Sequence, residues 1–378
     1  MSLTAKRDSA PRLTVQTHEP NGCVTKKELH IFRMRRLKTL ILFSLLAVAL
    51  VVLLIVSASS GQLHVPAGEV FSSLLNKLGL GGSPVTSHAN GEAALWQIRF
   101  PRVVLTMLVG AALATGGALM QGVFGNPLAD PGVVGVSSGA AAAACTAMVF
   151  GWAFFGNWTV AIFAFGGGLV VTLLVYAISR SNGRTEVVTL VLTGVAVNAV
   201  CGAIIALMTF LGDQQSREQI VFWQLGSMNG TRWDYVAVVA PIVIVGIVLV
   251  MFLTRKLDLL SLGERSARHL GVDVERLRIG SIILVAFLTA AAVAFAGIIS
   301  FVGLVVPHII RMIVGPGHRV LIPASALGGA VLLSGADLIA RTAVPFADLP
   351  IGMLTALVGG PFFFWLIRKT RKSSGGWA

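Results

Sequence analysis

From Pro131 to Ser179 the chain carries no charged residue. A soluble helix shows a polar face every turn and a soluble strand every second residue, so a stretch this long has no face for water. A helix needs roughly 20 apolar residues to cross a hydrocarbon core of about 30 Å. The stretch therefore holds a pair of crossing helices, and Gly156-Asn157 marks the break between them. Similar runs recur along the sequence. Charged residues make up 12% of the chain, against about 25% in soluble domains, and mean hydropathy is +0.84. The fold class that follows is an all-α polytopic membrane protein.

Span by span, the pattern predicts ten transmembrane helices: about Thr39–Ser60, Val103–Gly122, Val133–Phe150, Thr159–Ile178, Val187–Leu211, Tyr235–Leu253, Ile279–Ile299, Val302–Val314, Val320–Ile339 and Pro350–Ile367. The first follows a basic segment, as in a signal peptide, but its apolar run exceeds the roughly 7–15 residues of a secretory segment. Residues 1–37 read as a mostly disordered cytoplasmic tail, 38–372 as the transmembrane domain and 373–378 as a short C-terminal tail. A long outer loop, Gly61 to Ile98, contains an amphipathic piece over Ala67–Leu78. Asp213 to Glu218 reads as a polar outer turn, and Gln219 to Gly226 as a short interfacial helix flanked by Trp223 and Trp233 at headgroup depth. The net charge of +13 comes from 29 Lys and Arg. These lie between apolar spans rather than in one stripe, so they point to the lipid bilayer and to no nucleic acid. With ten spans and both termini cytoplasmic, the dense Lys/Arg clusters all fall inside. The location is the cell (inner or plasma) membrane, multi-pass.

Arg99 to Ala140 carries the most distinctive motifs. R-x-P-R leads into G-A-A-L-A-x-x-G-x-x-x-Q-G and then N-P-L-A-D-P-x-x-x-G-V-S-S-G-A. This ordered series resembles the permease family of iron-chelate and vitamin B12 ABC importers, and the resemblance runs from Arg99 almost to the C-terminus. It implies a type II importer permease with an inverted repeat relating spans two to five and seven to ten. Gly116 to Asp130 and Gly297 to Arg311 each run from a glycine-containing span through a proline, a faint trace of that symmetry. The resemblance also implies a homodimer with a central pore, two copies of a P-loop ATPase subunit and an extracytoplasmic substrate-binding protein.

The residues themselves assign parts of this machine. The chain has no G-x-x-x-x-G-K-[ST], the loop and lysine that cradle phosphates. ATP and Mg therefore belong to a partner, and this chain is no enzyme, with no catalytic residues, no metal site and no bound cofactor of its own. Leu262 to Gly271 contains G-E-x-x-A-x-x-L-G. Glu264 sits near the start of a short helix, where the dipole favours an anion, and Gly263 and Gly271 allow turns at its ends. The resemblance makes Gly263, Glu264, Ala267, Leu270 and Gly271 the coupling helix that docks into the ATPase; a solvated connector is the plainer alternative. Arg99, Arg102 and Arg341 map to the outer face. Their planar forks suit carboxylates, and the resemblance gives them docking of the binding protein; snorkelling to lipid headgroups is the alternative. Asn126, Pro127 and Leu128 match the family's cytoplasmic gate. Gly194, Asn198 and Gly202 are four apart and share a helix face, either lining the pore or packing against a neighbour. Asp337, His308 and Arg311 are ionisable groups inside spans, too few for a proton relay.

Cargo is the least constrained reading. Thr209 to Ser227 looks most like haem permeases, although Gly212 and Val221 replace an acid and a threonine expected there. Haem, a ferric siderophore chelate and cobalamin all remain open in that order. A secondary transporter or channel is the alternative of a different class. It would need no ATPase.

Overall fold

The computed structural model describes residues 26–61, 65–181, 184–344 and 347–373. The chain divides after Leu37. Of the first unit only 26–37 is described, as helix; residues 1–25 of the expected tail, and 374–378, lie outside the described residues. The second unit, Lys38–Ala378, is compact.

In order, the helices are α1 Lys26–Ser59, α2 Ala67–Lys77, α3 Gly91–Phe124, α4 Val136–Val149, α5 Thr159–Ile178, α6 Val187–Leu211, α7 Gln214–Leu225, α8 Trp233–Leu260, α9 Glu264–His269, α10 Val274–Ala296, α11 Val302–Val314, α12 His318–Thr342 and α13 Ile351–Ser373. A two-residue hairpin, β1 Arg180–Ser181 and β2 Arg184–Thr185, joins α5 to α6. Seven of these helices are long and apolar enough to cross a membrane, and α4, α11 and α13 contribute shorter apolar segments. α5, α6 and α11 have the expected bounds. α4 is shorter than the expected Val133–Phe150, because Pro131–Val134 forms a 3-10 turn ahead of it; the remaining spans overrun charges that had bounded them. α1 begins at Lys26 within the supposed tail, because Lys, Arg, Glu and Leu are good helix formers even where they are poor lipid neighbours. α3 carries Arg99 and Arg102 inside it, with a π-helical turn over Ala94–Arg99. α7 starts at Gln214, not Gln219: Asp213 accepts the Ser216 N–H at 2.8 Å and caps it. The same cap holds the Asp213 carboxyl below its usual range, through the Ser216 backbone and side chain.

Side-chain contacts fix the directions. His318 at the start of α12 touches Gly122 near the end of α3 and Asp258 near the end of α8. Arg102 near the start of α3 meets Asp337 near the end of α12, and Trp233 at the start of α8 donates to Trp96 O. One end of the bundle thus holds the Asn126 turn and α9, and the opposite end holds the arginines. Arg278 in the first turns of α10 meets Glu264, so α10 runs opposite to α3. Each half then has a short second helix, in α3–α6 and again, inverted, in α10–α13, where α13 reaches 23 residues by running past its apolar segment into the basic end. α3, α10 and α12 are mostly buried, while α1 and α6 expose most of their surface.

The two short helices start inside the bundle. The backbone leaves the α-helix over 125–135 before α4, with a single 3-10 turn at Pro131–Val134, and over 297–301 before α11. Non-helical backbone at membrane depth is tolerated where protein buries it. Here Gly117 of α3 and Gly303 of α11 approach so closely that a Cβ on Gly117 would overlap the Gly303 backbone, and Pro131 lies beside Gly303. Gln121 Nε2 donates to the buried carbonyls of Leu304 and Gly303, at 3.2 and 3.4 Å, and the Gly303 carbonyl has no i+4 partner because Pro307 carries no N–H.

Candidate functional site

At the end that holds α9, α3 stops at Gly125, whose φ of 58° is left-handed. Asn126 then folds the chain back: its Oδ1 accepts the Leu128 N–H at 2.9 Å and its carbonyl accepts the Ala129 N–H at 3.1 Å. Asp130 accepts the Gly132 N–H at 2.7 Å, and Pro131 opens a 3-10 turn into α4. Asn126, Pro127 and Leu128 are all exposed, so the turn projects from the bundle.

Gly194, Asn198 and Gly202 divide. Gly194 lies against Val133 O. Asn198 donates to Gly132 O at 3.2 Å and accepts from the Ser138 hydroxyl. These two clamp α6 onto the 3-10 turn and the start of α4, which is helix packing. Gly202 has open space and faces away from the rest of the chain. The shared stripe fails because 3.6 residues per turn rotates each i, i+4 step by about 40°.

α9 is braced from beneath. Ala267 is fully buried, so the helix sits on its alanine. Gly271, at φ 83°, turns the chain back, and Val272 N donates to Ala267 O at 3.0 Å. Glu264 pairs with Arg278 and, at 3.5 Å, with Arg268. Arg278 also donates to Thr185 O at 2.9 Å, and Glu275 accepts from Thr185 N and Tyr176 Oη, each at 3.1 Å. This network ties α9 to α10, α5 and the hairpin. What α9 offers outward is flanking: Leu262 and Leu270 are 63% and 58% exposed. A cavity of about 520 Å³ opens beside it, walled by Val187, Arg265 and Arg268 among others.

At the opposite end the three arginines come together, but not as free forks. Arg99 is buried and donates to Ala58 O and Ser59 O, the latter at 3.1 Å. Arg341 donates to Ser60 O at 2.8 Å and to Ser57 O. Both satisfy the orphan carbonyls at the end of α1, where the helix dipole favours cations. Arg102 donates through Nε and Nη2 to Asp337, at 3.0 and 2.9 Å, and through Nη1 to Asp348 at 2.8 Å. Asp337, 1% exposed, stands 3.6 Å from Arg341 as well. All three arginines lie within helices at one end of the bundle, and the chain supplies their partners itself. Sequence reasoning noticed Asp337 as a charge inside a span without pairing it, and it missed Asp258, Arg278 and Glu275. The available signal was that each lies within a turn of an apolar run, where an unpaired charge is costly.

The sequence profile of the FecCD transport family matches residues 49–369. The chain is 39% identical to the hemin transport system permease protein of Yersinia pestis over 90% of its own length and 99% of that protein's. It is 43% identical to the cobalamin import system permease protein of Halobacterium salinarum over 72% of each chain, and 36% identical to the vitamin B12 import permease of Klebsiella pneumoniae over 86% and 93%. Among solved structures, an inward-facing metal-chelate type ABC transporter superposes with a TM-score of 0.74 at 32% identity, covering 87% of this chain and 99% of that one. With its family match over most of its length and a short second helix in each of its two inverted halves, the chain belongs to the FecCD transport family, the permeases of ABC importers for iron chelates and vitamin B12.

Proposed function

We propose that the chain is the membrane pathway of an importer that carries an iron compound, haem in first place, into the cytoplasm. The observation that carries the transport part is α9, a short braced helix flanked by exposed leucines on a chain with no phosphate-binding loop. Such a knob has the form of a contact for a separate motor. Haem is supported by the near end-to-end match to the hemin permease. Cobalamin is the second reading, favoured by the 43% identity to the archaeal cobalamin permease over a shorter stretch, and a ferric siderophore is the third.

In this reading the end with α9 and the Asn126 turn is cytoplasmic, with both chain termini on that side. Two copies of the permease pair, each taking one P-loop ATPase that uses ATP and Mg, and Gly202 on the exposed side of α6 faces the pathway or the second copy. An extracytoplasmic binding protein docks at the arginine end. Arg99, Arg102 and Arg341 outnumber Asp337 and Asp348 there, which favours an acidic partner, but the partner's carboxylates would exchange with internal ones.

Uptake into proteoliposomes tests the reading, with the chain co-expressed with the ATPase encoded beside it and the cognate binding protein supplying haem or a ferric siderophore. ATP-dependent accumulation of haem is expected. Siderophore uptake alone would replace the cargo, and uptake without ATPase or binding protein would overturn the importer reading.

The coupling helix has its own test. Leu262→Asp with Leu270→Asp alters only exposed side chains, and burying each leucine at an interface is worth about 1.5–3 kcal/mol. The double variant is expected to reach the membrane normally and to lose the ATPase on co-purification, with docking weakened by at least about 100-fold. Ala267→Arg is expected instead to unseat α9 itself, since Ala267 has no exposed surface. Unchanged co-purification of the leucine variant would sink the docking assignment.

A further inference from the structure

Asp258 and His318 join two regions that the sequence keeps apart. Asp258 lies in the last turn of α8, just before the segment that carries α9. Its Oδ1 accepts both the backbone N–H of His318, at 2.8 Å, and a bond from the His318 ring at Nδ1, at 2.7 Å. One carboxylate oxygen therefore caps α12 and fixes the ring. With the aspartate oxygen accepting, the ring proton is on Nδ1, and Nε2, buried with no acceptor for a second proton, is bare.

That bare nitrogen is buried and has no hydrogen-bond partner. It lies against Gly122, where an added Cβ would stand 2.5 Å from it. Gly122 belongs to the last turn of α3, immediately before Gly125 and the projecting Asn126-Pro127-Leu128 turn. The His318 side chain is 5% exposed, so it is wedged between the root of the coupling segment and the root of that turn. No other function described above uses it.

We propose that the Asp258–His318 pair is the positioning element that transmits displacement of the 261–271 segment to the Asn126 turn. This rests on the importer reading. Tilting α9 pulls on the end of α8; Asp258 carries the His318 ring with it; the ring bears on Gly122 with no slack, and α3 ends in the turn. The aspartate–histidine bond supplies direction, and the missing side chain at 122 supplies the seat. A tightly packed contact of this kind passes on motion because its elements cannot deform independently.

The test uses the assembled permease, ATPase and binding protein in proteoliposomes and reads cargo moved per ATP hydrolysed. Asp258→Asn keeps an acceptor oxygen for both N–H groups and is expected to stay within about twofold of wild type, while Asp258→Ala and Gly122→Ala are expected to hydrolyse ATP at near wild-type rates but move about tenfold less cargo per ATP. Combining Gly122→Ala with His318→Asn, a shorter donor that still reaches Asp258, is expected to recover most of the coupling. The proposal is overturned if the alanine variants keep the wild-type ratio, if hydrolysis and assembly fall together with transport, or if the combined variant stays uncoupled. A wild-type complex with no ATP-driven uptake would instead remove the importer reading.

Discussion

Asp337→Ala is expected to destabilise the protein by about 3–5 kcal/mol, the usual cost of leaving a buried charge without its partner. Asp337 takes two hydrogen bonds from Arg102 and faces Arg341, and those arginine side chains are 11% and 8% exposed. With the carboxylate gone, two guanidinium groups remain among apolar helices with Asp348 alone to balance them. The midpoint of thermal unfolding in detergent should fall by roughly 5 °C or more. Asp337→Asn, which keeps an acceptor, should fall less. Pairing Asp337→Leu with Arg102→Met should restore part of the loss, because an apolar pair of similar volume often replaces a buried ion pair without penalty. A single alanine variant that melts like wild type would show the cluster to be idle. A docking role for these arginines then becomes the stronger explanation of their presence.

Gly117→Val is expected to prevent accumulation of folded protein. The overlap would be with the Gly303 backbone, which cannot swing aside as a side chain can. Overpacking of ordinary cores costs about 1–3 kcal/mol, and this contact has less freedom to relax because the starts of both short helices meet there. Gly116→Ala is the control: a Cβ at Gly116 would meet Thr289 Oγ1 at 3.2 Å and Pro131 at 3.7 Å, which small shifts accommodate. The measurement is the yield of monodisperse protein on size exclusion. Wild-type yield of the valine variant would contradict the close crossing of α3 and α11.

Where lipid alone sets the boundary, the sequence was enough. α5 and α6 begin and end where the apolar runs do, because hydropathy decides those ends, whereas α11 has the expected bounds because the backbone turns at Phe301 and Gly315, both at positive φ. The reading failed where charge and helix coexist. Arg102, Arg278 and Arg341 each bordered an expected span in the sequence, yet each lies within a helix and is held by residues far away in the chain, Arg102 by Asp337, Arg278 by Thr185 O and Arg341 by Ser57 O and Ser60 O. One-dimensional patterning sees the charge and not its neutralisation. The site followed the same rule. The α9 turn glycines and the Asn126 turn were legible because local backbone chemistry makes them. The burial of Ala267 and the division of Gly194 and Asn198 from Gly202 depend on which helix lies opposite, and no spacing in the sequence reports that.

The two short helices also impose an order on biosynthesis. At 1.5 Å per residue, the 14 residues of α4 and 13 of α11 reach only about 20 Å, short of a bilayer core of about 30 Å. Neither is retained by its own partition into lipid. α11 packs against α12, which follows it, but also against α3, which has long left the ribosome when α11 emerges. α4 packs against α5, α6 and α10, all of them still unmade when it appears. The first half must therefore shelter a segment that has nothing to hold it, while the second half is laid onto a finished template. A nascent chain halted after α11 is expected to keep its short helix in the membrane better than one halted after α4 keeps its own.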